Sequence, residues 1–164
     1  VAGLRCLQKQ GTWSDLKDIN RPTLIGLLGP GGKREYAIVS SLDGTSVTME
    51  IDGRTIQANT SLVTPFWPGD YLVLWKPAPV YRRTIKPGME GPDVAWLRDR
   101  IAKIRGQAAA TKNAEKFDSY LANQVISFQQ SRDLEGDGTV DDLTLIHLNS
   151  LAGDPVTPVL KTGP

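Results

Sequence analysis

Two hydrophobic rhythms divide the chain. Up to about residue 79, apolar positions come in short runs, several alternating with polar ones and separated by Gly and Pro steps. Beyond that point they recur at three- and four-residue spacing. In the first half, Leu16 and Ile19 share one face of a short helix over Trp13–Ile19, with Thr12 or Ser14 as its cap. Pro22 ends that helix by disfavouring helical geometry at Arg21. Thr23–Leu28 is apolar on both faces, as a buried strand is. After a turn at Gly29–Gly32, strands are predicted at Glu35–Ser40, Ser46–Ile51, Arg54–Ala58 and Tyr71–Trp75. Asp43-Gly44 and Asp52-Gly53 are steps that favour tight hairpins with positive φ. Residues 1–79 therefore predict a small antiparallel sheet with one helix against it.

From Ile85 the period is helical. Gly88 and Gly91 bracket a turn, Pro92 suits a first helical position, and Asp93 complements the helix dipole. Val94, Leu97, Ile101 and Ile104 form one face, with Arg98, Arg100, Lys103 and Arg105 away from that seam and Gly106 at the end. Gln107–Asn113 reads as a polar loop without an anchor. Phe117, Leu121, Val125 and Phe128 mark a second helix over Ala114–Ser131. A third opens at Asp141-Asp142, one of which caps it, and turns Leu143, Ile146 and either Leu148 or Ser150-Leu151 inward. Residues 154–164 carry three prolines and no apolar period, which predicts an extended tail. The fold class expected is α+β: a sheet-and-helix half over 1–79, then an all-α three-helix domain over 80–153. Lys76–Pro79 is a stiff boundary, and the basic pair Arg82-Arg83 beside it reads as solvated linker.

Composition narrows the chemistry. At 164 residues and 40% hydrophobic, the chain can bury one ordinary core or two small ones. Nineteen Lys and Arg against eighteen Asp and Glu give a formal charge of +1, which argues against nucleic acid as a partner. No apolar run approaches the roughly 20 residues that span a bilayer, so a soluble piece is expected, with any membrane segment upstream of Val1. Cys6 is the only cysteine and is expected to be a small buried hydrophobe. As a nucleophile it would need a base, and the only histidine, His147, falls in the other domain. No Ser-His-Asp set, HExxH or paired His ligands stand in their place. Trp13, Trp67 and Trp75 read as packing rather than as a sugar platform. Asp133–Asp141 imitates a calcium loop, with alternating oxygens, Gly138 at the turn and Val140 in the apolar slot. Thr144 stands where the closing bidentate Glu belongs, so neither a metal nor a cofactor is expected. Gly138 then supplies positive φ to an ordinary turn.

Two groups of residues carry resemblances. Gly88, Gly91, Asp93-Val94, Leu97, Phe117-Asp118, Val125, Phe128-Gln129, Leu134, Asp137-Gly138, Val140-Asp141 and Leu143-Thr144 together resemble the three-helix peptidoglycan-binding module of bacterial cell-wall proteins. Arg98 departs from the Gln usual after the first-helix Leu, and Asp142 from a place often held by Gly. The resemblance implies non-catalytic binding of a muropeptide. A shallow groove lined by Asp93, Arg98, Gln129, Asp137, Gly138, Thr139 and Thr144 would offer donors and acceptors of both signs. Arg98 or Lys103 would meet a stem-peptide carboxylate.

In the first half, Gly3–Cys6, Trp13–Leu16, Asn20–Leu24, Glu35–Val39 and Trp67–Trp75 resemble the C-terminal part of the papain-like C39 peptidase fold. The match is to its degenerate form, found beside a peptidoglycan-binding module in the A proteins of type II secretion. Active members carry a His where Glu35 stands, and their nucleophilic Cys lies on a helix before the region of Gly3. A carboxylate cannot activate a thiol as imidazole does, so no peptidase activity is expected. The resemblance implies the periplasmic portion of an inner-membrane protein that helps place the secretin, with any ATPase activity outside this chain. The partners implied are peptidoglycan, the pathway's B protein and the secretin; a homo-oligomer stays open. The competing reading is a cysteine peptidase or wall hydrolase fragment with its own targeting module, and the missing His and missing helix count against it.

Overall fold

Thr12 and Asp15 start the first helix with a capping box: the Asp15 N–H donates to Thr12 Oγ1, and Asp15 Oδ2 accepts the Thr12 N–H at 2.6 Å. The helix belongs to the first of two units into which the chain divides, Val1–Lys76 with Pro155–Pro164, and Pro77–Asp154. The computed structural model describes residues 3–77, 84–109, 112–153 and 158–160. Arg82-Arg83 and most of the expected linker lie outside the described residues.

The first unit runs β1 (Arg5–Gln10), α1 (Trp13–Ile19), β2 (Thr23–Leu28), β3 (Arg34–Asp43), β4 (Ser46–Ile51), β5 (Arg54–Asn59), α2 (Thr60–Val63) and β6 (Asp70–Trp75). Its sheet has the order β1-β6-β2-β3-β4-β5, with every neighbouring pair antiparallel. β6 enters between β1 and β2, and two glycine backbones meet where it does. The Gly11 N–H donates to the Gly69 carbonyl at 2.9 Å. Gly69 sits at φ +94°, and a Cβ there would stand 2.8 Å from the Gly11 oxygen.

On one face of the sheet Ile25, Ala37, Val39, Val47, Met49, Val73 and Trp75 are buried, as are Leu16 and Ile19 of α1. Trp67 is buried as well and donates its indole N–H to the Asp70 carbonyl at 2.9 Å. Trp13 lies against it, ring centroids 4.4 Å apart, and donates to Thr64 Oγ1. These three tryptophans are packed into the structure of this unit.

The other face corrects an expectation. β2 is apolar on both faces, but on the second face Leu24 is only half-buried and Leu28 is exposed. Leu24, Ile38, Leu72 and Leu74 line an open apolar groove of about 410 Å³ with Leu4, Pro22 and Pro158. Leu74 is 56% exposed there. Cys6 is likewise exposed rather than buried, because β1 is an edge strand and Cys6 pairs with Leu74 on the uncovered side. Part of the expected tail returns to this unit: Leu160 is buried and donates its N–H to the Asn20 carbonyl at 3.3 Å.

The second unit holds α3 (Pro92–Ile104), α4 (Ser119–Gln130) and α5 (Asp142–Leu151). Val94, Leu97 and Ile101, then Leu121, Val125 and Phe128, then Leu145, Ile146 and Leu148 make its core. Ile85 and Val140, both fully buried, exchange backbone hydrogen bonds at 3.1 and 2.8 Å and tie the start of the unit to the entry of α5. α4 begins five residues later than the hydrophobic period suggests. Asp118 caps it, accepting the Leu121 N–H at 2.9 Å, while Phe117 exchanges strand-like bonds with Gly88 and Met89. In α5 it is Leu145, not Leu143, that turns fully inward, and Leu151 is 43% exposed. Thr144 through Asn149 are all buried, so this helix has little periodic contrast to read.

Candidate functional site

Six of the seven residues expected to line a ligand groove, all but Asp93, fall into two clusters, and both bind the chain to itself. The first is centred on Gln129, which the last turn of α4 points into the loop before α5. Its amide nitrogen donates to the Thr139 carbonyl at 2.8 Å, to Asp137 Oδ1 at 3.2 Å and to Thr144 Oγ1 at 3.4 Å. Its amide oxygen accepts the Gly138 N–H at 2.9 Å. Gly138 takes φ +74°, a conformation that favours glycine, and Asp137 Oδ1 also accepts the Thr139 N–H at 2.7 Å. Asp141 caps α5 by accepting from both the backbone and the hydroxyl of Thr144, each at 2.8 Å. Gln129 and Thr144 are each 2% exposed. The turn is closed by an amide, and among the described residues no three His, Cys, Asp or Glu side chains are placed to hold a metal.

The second cluster is centred on Arg98. It does not lie away from the core seam or face a surface groove: it is 5% exposed. Nε donates to the Ala114 carbonyl at 3.3 Å and Nη2 to the Lys116 carbonyl at 2.6 Å, and Nη2 sits 3.2 Å from Asp118 Oδ1. The guanidinium thus anchors Ala114 and Lys116, which the hydrophobic period assigns to the second helix but which precede α4. Asp93 is half-buried in the first turn of α3, where its Oδ1 accepts the N–H of Val94. Lys103 is exposed. Of the seven groove residues, only Asp137 is exposed, with Thr139 and Asp93 half-buried.

Both cluster carboxylates are held below their ordinary range. For Asp118 the backbone N–H of Leu121 is the main cause, with the Arg98 bond and charge adding to it against a desolvation cost. For Asp137 burial alone would raise the carboxyl, but bonds from Thr139 and Gln129 outweigh it. A folded-state pKa below the unfolded one means the unfolded chain takes up more protons as pH falls. The stabilisation is therefore complete above about pH 4 and is lost as pH drops through the depressed values. The melting temperature of the helical unit is expected to fall as pH drops below about 4. Asp118→Asn should flatten part of that dependence; an unchanged slope in the variant would remove Asp118 from the account.

Sequence reasoning passes over other candidates. Trp96, half-buried on α3, carries the Arg100 guanidinium 5.3 Å from its ring centroid. Arg105 and Gln124 look onto an open groove between α3 and α4. Their signal is an arginine and a glutamine at helix positions next to the apolar face, which sequence alone does not separate from solvated surface.

The helical part of the chain is similar to a known family. Residues 90–148 match the family model described as "Putative peptidoglycan binding domain", a stretch that takes in α3, α4 and most of α5. Nearly the whole chain is similar to the A proteins of general secretion. General secretion pathway protein A of Aeromonas hydrophila is 28% identical over 155 residues, 94% of this chain and 28% of that protein. Putative general secretion pathway protein A of Escherichia coli (strain K12) is 29% identical over 153 residues, 93% of this chain and 31% of that protein. The chain thus spans about a third or less of these relatives' length. Among solved structures, the periplasmic domain of the EpsAB fusion protein of the Vibrio vulnificus type II secretion system aligns with a TM-score of 0.59 at 25% identity. That alignment covers 92% of this chain and 65% of the solved one.

Proposed function

We propose that this chain is the non-catalytic, peptidoglycan-binding periplasmic part of a type II secretion assembly factor. The match of residues 90–148 to the peptidoglycan-binding family, within a chain similar along nearly its whole length to secretion pathway A proteins, carries that reading. The helical unit holds the wall, and the sheet unit is a degenerate C39-peptidase-like body that no longer cleaves. Glu35, exposed on β3 beside Lys33, stands where the active fold needs its His. Cys6 lies on an open edge strand, and His147 is buried within α5. The pathway's B protein and the secretin are the partners proposed, and an inner-membrane segment elsewhere in the longer protein would deliver the chain to the periplasm. No helix among the described residues is long and apolar enough to cross a membrane.

The test is sedimentation with purified sacculi. The chain is expected to pellet with them and to leave the supernatant free of muropeptides. A chain that stays in the supernatant would refute wall binding; soluble muropeptides released by the chain would refute the non-catalytic reading.

A further inference from the structure

The C-terminal turns of α3 and α4 enclose an open groove of about 190 Å³. Its floor is Ile101, Ile104 and Phe128, and its rim is Arg105, Gln124, Ser127 and Ser131. Positions 101, 104 and 105 form one strip of α3, and 124, 127, 128 and 131 one strip of α4, at helical spacing. Ile101 and Phe128 are buried, Ile104 and Gln124 half-buried, and Arg105 exposed.

The rim differs from the two bracing clusters in having polar groups to spare. Among the described residues, the Arg105 guanidinium meets no carboxylate and the Gln124 amide no hydrogen-bond partner. Nor is Arg105 drawn off by the end of its own helix. The carbonyls of Ile101, Ala102 and Lys103 already accept the N–H groups of Arg105, Gln107 and Gly106. Ser127 Oγ donates to the Asn123 carbonyl at 2.9 Å and Ser131 Oγ to the Phe128 carbonyl at 2.7 Å. With their protons committed, these two hydroxyls present lone pairs to the groove.

A guest must therefore bring N–H donors for the serines and an amide for Gln124. It must also bring small apolar groups for the floor and an anion for Arg105. The helix ends flanking the groove carry partial negative charge, so the anion depends on Arg105 to enter. The volume lies below the ~300–1,000 Å³ of pockets that enclose a whole small ligand, which suits the end of a polymer branch. From this geometry we infer that the groove captures the free end of a peptidoglycan stem peptide. Its methyl side chains rest on Ile101, Ile104 and Phe128, its amides meet Gln124 and the serines, and its terminal carboxylate pairs with Arg105.

This assignment rests on the wall-binding reading, and one experiment separates the two. The whole chain is titrated with a synthetic stem pentapeptide ending in D-alanyl-D-alanine, with the same peptide as its C-terminal amide, and with an N-acetylglucosamine tetramer. Each variant is also sedimented with sacculi. The carboxylate peptide is expected to bind and the amide to bind about tenfold more weakly, since a charge-assisted pair is lost. Arg105→Glu should weaken both peptide and sacculus binding by about tenfold or more, and Gln124→Ala by a smaller factor. Arg54→Glu, the same charge change on exposed β5 of the sheet unit, should behave as the parent. If Arg105→Glu pellets with sacculi as the parent does, the groove is not the seat although wall binding stands. Binding of the sugar tetramer without the peptide would overturn the peptide assignment. A parent chain that fails to pellet removes the reading on which the assignment rests.

Discussion

Replacing Gln129 by alanine is expected to destabilise the helical unit by about 4 kcal/mol, a large part of the ~5–15 kcal/mol that holds a typical domain. The side chain is 2% exposed and joins the end of α4 to the loop that enters α5. Truncation strips the buried Gly138 N–H of its acceptor and the Thr139 carbonyl of a donor. Leaving such groups unsatisfied costs about 1–3 kcal/mol each, and the vacated space adds a packing loss. Gln129→Glu should be no milder. A carboxylate cannot donate to Thr139 or to Asp137, and it sets a second negative charge beside Asp137 Oδ1, 3.2 Å from the amide it replaces. Amide exchange in α4 and α5 reads the helical unit separately from the sheet unit. Exchange there should rise roughly a thousandfold in Gln129→Ala at neutral pH. A rise of less than about tenfold would mean that the loop closes without the amide.

This expected loss changes how a binding experiment must be designed. Arg98 and Gln129 stand out in the sequence because they are polar and lie at fixed offsets from an apolar helix face. Those offsets exist because each side chain reaches a particular loop backbone: Ala114 and Lys116 for Arg98, Gly138 and Thr139 for Gln129. A unit this small has few apolar contacts to spare for its loops, so buried polar side chains fix them. In one dimension a buried brace and a ligand contact look alike. Under conditions where a variant of either residue unfolds, sacculus binding is lost whatever the ligand touches. Surface positions such as Arg105 avoid that ambiguity.

Much of the rest is legible where local chemistry decides the outcome. Thr12, one of the two cap candidates, does start the first helix, and Asp43-Gly44 and Asp52-Gly53 predict the turns on either side of β4. Where distant partners decide, the sequence is a poor guide. β1 is Arg-Cys-Leu-Gln-Lys-Gln, too polar to announce a strand, and it exists because β6 returns beside it. α5 is buried on nearly every side, so its inward residues cannot be chosen from a period. Leu24 reads as covered because β2 is apolar on both faces, yet with Ile38 and Leu72 it lines an open groove. Hydrophobicity records what a surface favours, whereas coverage depends on what else the fold brings to lie on it.

Arg98→Met is the second large effect, expected at about 3 kcal/mol. Methionine fills much of the same space, so the loss is chiefly polar. The Lys116 carbonyl loses a 2.6 Å bond, the Ala114 carbonyl a 3.3 Å bond, and Asp118 its nearby positive charge. Asp118 is partly open to solvent, so its share is small and most of the cost falls on the two carbonyls. Arg98→Lys should recover little. One ammonium cannot reproduce a planar fork aimed at two carbonyls and a carboxylate together. Arg98→Gln, which installs the residue usual in related modules, should also fall short here, because its single NH₂ is too short and too poor in donors to serve all three groups. Amide exchange in α3 and α4 measures the cost, and sacculus binding at a temperature where the variant stays folded tests the role. Arg98→Met that is unstable yet binds when folded marks a brace of the fold. Arg98→Met that keeps the parent's stability and loses the wall would return Arg98 to the ligand surface.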